Sequence, residues 1–423
     1  MRCGSDILLD NDRYSIHLDR YLEGSGASSA YLNHMDQISK VSGRAARSEA
    51  LVLQILREQG SASIAELARL SGLGKATVSR IVAALRTREV IEETGEAFRS
   101  ANTGRSGKAL RIRPDTGLYL GLAIGPGFIH SVLVDAAKRV VDYQQEELAL
   151  DRQLPAVLDA LDLIVARVMA DNDTDPSRIL GTGVAIGAPI DPHTGRVGPS
   201  SLVPETFNAP LAEILSQRLG MPVRCDNESN CSALAEVLWG DMPKTGTYAY
   251  IKFDHGLGGA IVSDGQVRSG RRGIAGEFGH ICYDREGAFC RCGKRGCFEQ
   301  YLSISALLAR AAPIYGPMSF QQFRERLSKG DHAFRQVVGE AGSIAGELLV
   351  LIGQTIDPEA FVLGGDLTLL GDDFLTPMRE RYKALTGEDA PISIGTAARV
   401  LSGWEQQDEP ALGAIGLVIK QPT

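Results

Sequence analysis

Helical spacing of apolar residues governs the chain between Leu51 and Leu85, and strand-like runs govern much of the remainder. Leu51, Val52, Ile55 and Leu56 mark a first helix. Ser63-Ile64-Ala65-Glu66 reads as a capping box, in which the Ser63 hydroxyl takes the Glu66 amide and the Glu66 carboxylate reaches back. A second helix starts there, with Leu67 and Leu70 on its buried side and Gly72 as the left-handed residue that ends it. Val78, Ile81, Val82 and Leu85 then fall at i, i+3, i+4 and i+7, one apolar stripe of a third helix. The opposite face shows Lys75, Ala76, Thr77, Ser79 and Arg80. Residues 90–93 and 109–112 look like two strands, separated by a flexible basic tip, Asn102-Thr103-Gly104-Arg105-Ser106-Gly107-Lys108.

Further on, Leu118–Ile124 and Ile129–Asp135 read as paired strands, with a third over 140–143. Val157, Leu161, Ile164, Val165 and Val168 follow at helical spacing, and another strand, 183–187, ends in a Gly-Ala-Pro loop. The pattern restarts at Tyr248–Phe253 and again reaches a glycine-rich turn, Asp254-His255-Gly256-Leu257-Gly258-Gly259. Two similar strand-rich beginnings, each followed by helices, predict two α/β lobes with a cleft between them.

Three helices with a short turn before the last make a helix-turn-helix plan, in which the final helix enters the major groove by its N-terminal residues. The tip carrying Arg105 and Lys108 suits a wing that touches phosphate or the minor groove. Charge sharpens this reading. The net charge of −8 argues by itself against nucleic acid, yet residues 44–113 carry thirteen Lys or Arg against seven Glu, so the excess of acid lies in the rest of the chain. A basic segment on an acidic body is the asymmetry of a DNA-binding head joined to a regulatory or catalytic domain. A plain helical bundle with solvated charges, or a protein-docking module, is the competing reading of the head.

A length of 423 residues suggests about three domains. We divide the chain into a disordered extension (1–43), a winged helix-turn-helix (44–113), a first α/β lobe (114–245) and a second lobe (246–423). The extension shows no sustained period, and Met35 competes with Met1 as the start. The 44% hydrophobic and 23% charged composition is that of a globular α/β protein. There is no run of eighteen apolar residues and no apolar signal core near the start, which predicts a cytoplasmic protein with no membrane contact.

Four ligand types that zinc prefers fall in one short segment: His280 in Gly-Glu-Phe-Gly-His, then Cys290, Cys292 and Cys297 in Cys-Arg-Cys-Gly-Lys-Arg-Gly-Cys-Phe-Glu. Gly293 and Gly296 let the backbone wrap a small cation. A Cys3-His set fills a tetrahedron and leaves no position for water, so we expect a structural Zn2+ that fixes a loop. Disulfides or free thiols are the alternatives, but three cysteines within eight residues cannot pair completely, and Cys3, Cys225, Cys231 and Cys282 show no framework spacing. Glu277 and Glu299 flank the ligands and form a candidate sugar-binding or catalytic edge.

The winged head, the second-lobe glycine turn, Gly-Glu-Phe-Gly-His and Cys-x-Cys-Gly-x-x-Gly-Cys-x-Glu together resemble the ROK family of sugar kinases and transcriptional repressors, from about Arg44 to the C-terminus. The resemblance implies a two-lobed ribonuclease-H-like fold of the actin/hexokinase type behind the head. Within the family the chain resembles the repressor branch, as in Gly-Leu-Gly-Lys-Ala-Thr-Val-Ser-Arg (72–80). Kinases of the family open with Asp-x-Gly-Gly-Thr; here the matching stretch is Ala123-Ile124-Gly125-Pro126-Gly127, whose proline also removes an amide donor. They place threonine where this chain has His255, and Asn-Asp-x-Asn where it has Asn227-Glu228-Ser229-Asn230. The extra methylene of Glu228 shifts a catalytic base by about an ångström, enough to cost about a hundredfold. These losses predict no catalysis, although Gly364-Gly365 still resembles the nucleotide-side turn.

The same resemblance implies sugar contacts at Asn227, Glu277, His280 and Glu299, and less closely at Asn208 and Gly187. His280 has two ring nitrogens, so one can hold zinc while the other bonds a sugar hydroxyl. The expected protein is a sugar-responsive repressor acting on operator DNA as a homodimer or homotetramer, since one helix in the groove reads too few bases. An ATP-dependent sugar kinase with a degenerate phosphate loop is the alternative.

Overall fold

The computed structural model describes residues 44–98, 107–125, 127–148, 153–198, 207–240, 242–243, 245–387, 393–396 and 409–419. The expected extension over 1–43, Arg105 of the wing tip, and Pro126 lie outside them.

The head is α1 (Arg44–Gln59), α2 (Ile64–Ser71) and α3 (Lys75–Thr87), followed by the antiparallel pair β1 (Ile91–Phe98) and β2 (Gly107–Ile112). Val52, Leu56, Leu67, Val78, Val82 and Leu85 meet Ile91 and Leu110 in one core. Ser63 caps α2 by accepting the Glu66 amide at 3.2 Å, and Gly72 closes it at φ 66°. Two details differ from expectation. The Glu66 carboxylate pairs with Arg69 one turn on and does not return to the cap. Leu70 is 38% exposed, because the buried stripe of α2 runs through Ile64, Leu67 and Ala68, and Leu70 lies more than a quarter-turn away.

The body begins with β3 (Leu118–Ile124), β4 (Phe128–Asp135), β5 (Val140–Glu147), α4 (Leu154–Asp171), β6 (Ile179–Ile186), α5 (Leu211–Leu219), β7 (Val223–Asn227) and α6 (Glu228–Leu238). Its sheet has the order β5-β4-β3-β6-β7, with β3 antiparallel to β4 and parallel to β6. The inner strands β3 and β4 are buried almost throughout because both faces are covered, His130 and Ser131 included, whereas edge strand β5 alternates half-buried and exposed positions.

The second lobe comprises β8 (Thr247–Phe253), β9 (Leu257–Ser263), β10 (Gln266–Val267), α7 (Glu299–Leu302), α8 (Ile304–Tyr315), α9 (Phe320–Ser328), α10 (His332–Ile356), β11 (Ala360–Gly364), α11 (Asp372–Thr386), β12 (Ser393–Thr396) and α12 (Glu409–Ile419). Its sheet order, β10-β9-β8-β11-β12, repeats the first: three antiparallel strands, then two parallel ones added beyond the starting strand. Helix α10 has the length and apolarity of a membrane span, but its Phe334, Val338, Ala345 and Leu349 fill the core of this lobe with Phe361 and Phe374.

Helix α12 departs from the expected division at residue 246. It packs on the first sheet, where Ala411, Leu412, Ala414 and Ile415 join Tyr119, Ala123, Val132 and Ala185. Glycines on the sheet permit the approach: a Cβ on Gly183 would sit 1.9 Å from the Ala414 carbonyl oxygen. The chain thus ends by returning to the lobe it began with, and α6 and α12 lie together.

Candidate functional site

His280 closes a short 3-10 turn, and the segment after it folds back so that the backbone of Cys282 pairs antiparallel with that of Cys297, and that of Phe289 with that of Arg295. Gly293 (φ 82°) and Gly296 (φ 64°) make the reversals, and a Cβ on Gly296 would meet the Asp284 carbonyl oxygen at 1.5 Å. The result gathers one ligand atom from each of His280, Cys290, Cys292 and Cys297, all within 4.8 Å of one another. The Cys292 and Cys297 sulfurs are 3.6 Å apart, and Cys290 Sγ is 3.7 Å from His280 Nδ1. Two sulfurs at bonding distance from one tetrahedral zinc lie about 3.8 Å apart, so the four donors fit that ion. Burial, then the neighbouring thiols of Cys292 and Cys290, push the Cys297 thiol up to about 12. Thiols so crowded ionise together only with a cation among them, which is the service a structural zinc performs.

Nδ1 of His280 faces the sulfurs, and Nε2 faces Glu277 Oε2 at 3.9 Å. Burial, with the charges of Glu299 and Glu228 nearby, pushes Glu277 up to about 7. Burial lowers His280 and favours the neutral ring. Glu277, His280 and Glu299 are therefore brought together at one edge of the second lobe. Glu299 is not the open acceptor the resemblance implies. It is buried, both of its oxygens take the Arg291 guanidinium at 2.9 Å, and Oε2 also accepts the Leu257 amide at 3.1 Å. It pins the glycine-rich turn to the metal loop.

In the other lobe, Asn227 caps α6, its Oδ1 accepting the Ser229 amide at 2.8 Å. Glu228 comes next, and its Oε2 lies 3.4 Å from the ammonium of Lys252, a buried residue on β8. Burial alone would lower Lys252, but Glu228, Asp254 and Glu409 hold it raised and protonated. Glu228 is thus an ion-pair partner between lobes. Ala123 is buried under α12, His255 is exposed, and a Cβ on Gly365 would strike the Phe253 carbonyl, so the β8 and β11 turns abut. Gly187 lies half-buried just past the end of β6. Asn208 is exposed, and its backbone carbonyl accepts from Arg196 at 2.8 Å. The loop between them reaches the other lobe at Ile190, against which Gly273 packs.

On the head, Lys75, Ala76 and Arg80 are exposed and Thr77 and Ser79 half-buried, so the small and basic face of α3 is open at its N-terminal end. Lys108 stands on the wing strand, exposed but paired with Glu93 at 2.7 Å.

Lys252 and Arg291 carry weight that the sequence reading did not assign. A lysine inside an otherwise apolar strand signals a buried partner, so Lys252 was detectable. Arg291 sits between Cys290 and Cys292, where no periodicity speaks.

A ROK family model matches residues 119–421, and a MarR family model matches residues 46–94. The xylose repressor of Caldicellulosiruptor bescii is 26% identical over 346 residues, covering 78% of this chain and 86% of that protein. Among solved structures, a ROK family transcriptional regulator described as a homologue of the E. coli MLC protein superposes with a TM-score of 0.67 at 21% identity, covering 88% of this chain and 96% of that one. A ROK family glucokinase from Streptomyces griseus, solved with glucose and AMPPNP, gives 0.62 at 26% identity, covering 71% and 99%.

Proposed function

The chain belongs to the ROK family, and from that premise we propose that it is a sugar-responsive transcriptional repressor that senses its effector without transforming it. The supporting observation is the union, in one chain, of an open recognition helix and a two-lobed body whose would-be catalytic base, Glu228, is held in an ion pair by Lys252. The loss of aspartate at Ala123 removes a metal-phosphate contact as well.

The effector is a sugar or sugar derivative. Glu277 and His280 Nε2 supply its polar contacts, with Asn227 Nδ2 from the other lobe, and Asn208 and Gly187 lie at the rim. Glu299 acts through Arg291 and the Gly256–Leu257 turn. A structural zinc held by His280 Nδ1 and the three cysteines fixes the ring that presents Nε2. The recognition helix enters the major groove by Lys75, Ala76, Thr77, Ser79 and Arg80, while Lys108 and Arg105 serve the wing. The protein works in the cytoplasm as a dimer or tetramer, so that two heads meet two half-sites. A sugar that favours one lobe arrangement shifts the spacing of those heads, and DNA affinity follows.

The test is binding of the full chain to the DNA upstream of its own gene across a salt series, with a thermal-shift screen of common sugars and a coupled ATP-consumption assay on any hit. Salt-sensitive binding and a sugar-induced shift without turnover are expected. Turnover of the sugar would make the protein a kinase, and absence of DNA binding would remove the repressor.

A further inference from the structure

Lys138 occupies the turn between β4 and β5, at a positive φ of 67°, and its ammonium reaches two helix ends at once. It donates to the Glu58 carbonyl at 3.2 Å, in the last turn of α1, and to the Leu238 carbonyl at 3.1 Å, the last residue of α6. The last four carbonyls of a helix have no partner inside it, and the helix dipole makes that end negative. One cation therefore satisfies both the head and the body.

Trp239, just past α6, secures the arrangement. Its indole nitrogen donates to the Lys138 carbonyl at 3.1 Å, and the Lys138 ammonium stands 5.8 Å from the ring centre. Beside it, Ala136 of the same turn is buried in the core of the head, and the Lys138 chain passes 3.6 Å from where a Cβ on Gly60 would be. The turn is thus a plug in the head with a charged tip between two helices.

The other end of α6 meets the second lobe, on whose sheet the helix also packs through Ala233 and Val237. Asn227 is its cap and Glu228 its first residue, paired with Lys252 of the second lobe. Eleven residues of helix span about 16 Å, nearly all of them buried, so α6 is a stiff rod whose first residue meets Lys252 and whose last meets Lys138.

We propose that α6 carries the state of the cleft to the DNA-binding head, with the Glu228–Lys252 pair as its input and Lys138 as its output. Movement of the second lobe acts on Glu228 through β8, displaces the Leu238 end of the helix, and changes how firmly Lys138 holds the last turn of α1. The purpose assigned to this relay rests on the repressor reading; its geometry does not.

The test needs neither sugar nor operator. Amide exchange is measured in the full chain over residues 52–62 for the wild type, Lys138→Met, Lys252→Met and the double variant. Methionine keeps the aliphatic stem in each case, and near-UV circular dichroism reports whether each chain is folded. Lys138→Met is expected to speed exchange there about tenfold, in line with loss of charge-assisted bonds. Lys252→Met, at the far end of α6, should change the same segment about threefold with Lys138 present and not at all without it. Equal effects of Lys252→Met in both backgrounds, or none in either, would overturn the relay. Should a variant fail to fold, Trp239→Phe replaces Lys138→Met and Glu228→Gln replaces Lys252→Met, under the same criterion. Wild-type binding to upstream DNA is scored separately, so loss of the repressor reading and loss of the relay give different results.

Discussion

Glu409 shows what burial does to a single group. Its Oε1 is sealed from solvent, Oε2 accepts the Tyr250 hydroxyl at 2.8 Å, and burial pushes the acid up to about 7. The folded chain therefore holds a proton that the unfolded chain has already released, and stability falls as pH rises through that interval. The cost of the buried charge is small near pH 5 and complete by about pH 8. Glu409→Gln should raise the Tm, relative to wild type, by about 2–4 °C more at the higher pH than at the lower. An equal difference at both would show that the group ionises freely. At the metal cluster, Cys292→Ser removes one of four donors. Metal analysis should fall from one zinc per chain to well below half, and the sugar-induced thermal shift should disappear with it, while the head continues to bind DNA. The donors were legible in the sequence because soft ligands cluster at short spacing. The pairing of Glu299 with Arg291 was not, since it depends on a hairpin that brings residues eight apart face to face.

Elements set how these groups meet. The small and basic face of α3 makes Arg80→Ala a test of docking: binding to upstream DNA should weaken about five- to a hundredfold, and the ratio of specific to non-specific binding should narrow. Unchanged affinity would move the recognition surface elsewhere. Helix α12 depends on bare backbone beneath it, so Gly183→Ala, whose Cβ would meet the Ala414 carbonyl oxygen at 1.9 Å, should lower stability by about 1–3 kcal/mol in denaturant unfolding. A neutral result would mean the helix is free to lift. Most elements were readable from the sequence: the apolar stripes of α3 and α4 and the strand runs of β3, β4, β6 and β8 are each the signature of a face, or two faces, removed from water. The docking of α12 on the first sheet was hidden, because its partners Tyr119 and Ala185 lie hundreds of residues earlier in the chain.

At the scale of the whole molecule, the proposed function is one coupling free energy between a cleft and a head. A sugar that stabilises the protein should change its DNA affinity, and DNA should change sugar affinity by the same factor, about 5- to 150-fold. Paired titrations check this, and unequal factors would show that the two sites do not share one equilibrium. Local spacing alone marked the helices of the head, the strand runs of both sheets and the clustering of His280, Cys290, Cys292 and Cys297, whereas the departures at Ala123 and Glu228 were visible only through the resemblance to the family. The folded chain adds that Lys252 pairs with Glu228, that Arg291 occupies Glu299, that helix α12 docks on the first sheet, and that Lys138 joins two helix ends. These are meetings of residues distant in sequence, made where buried charges and unpaired carbonyls must find partners, and no local pattern records which partner they find.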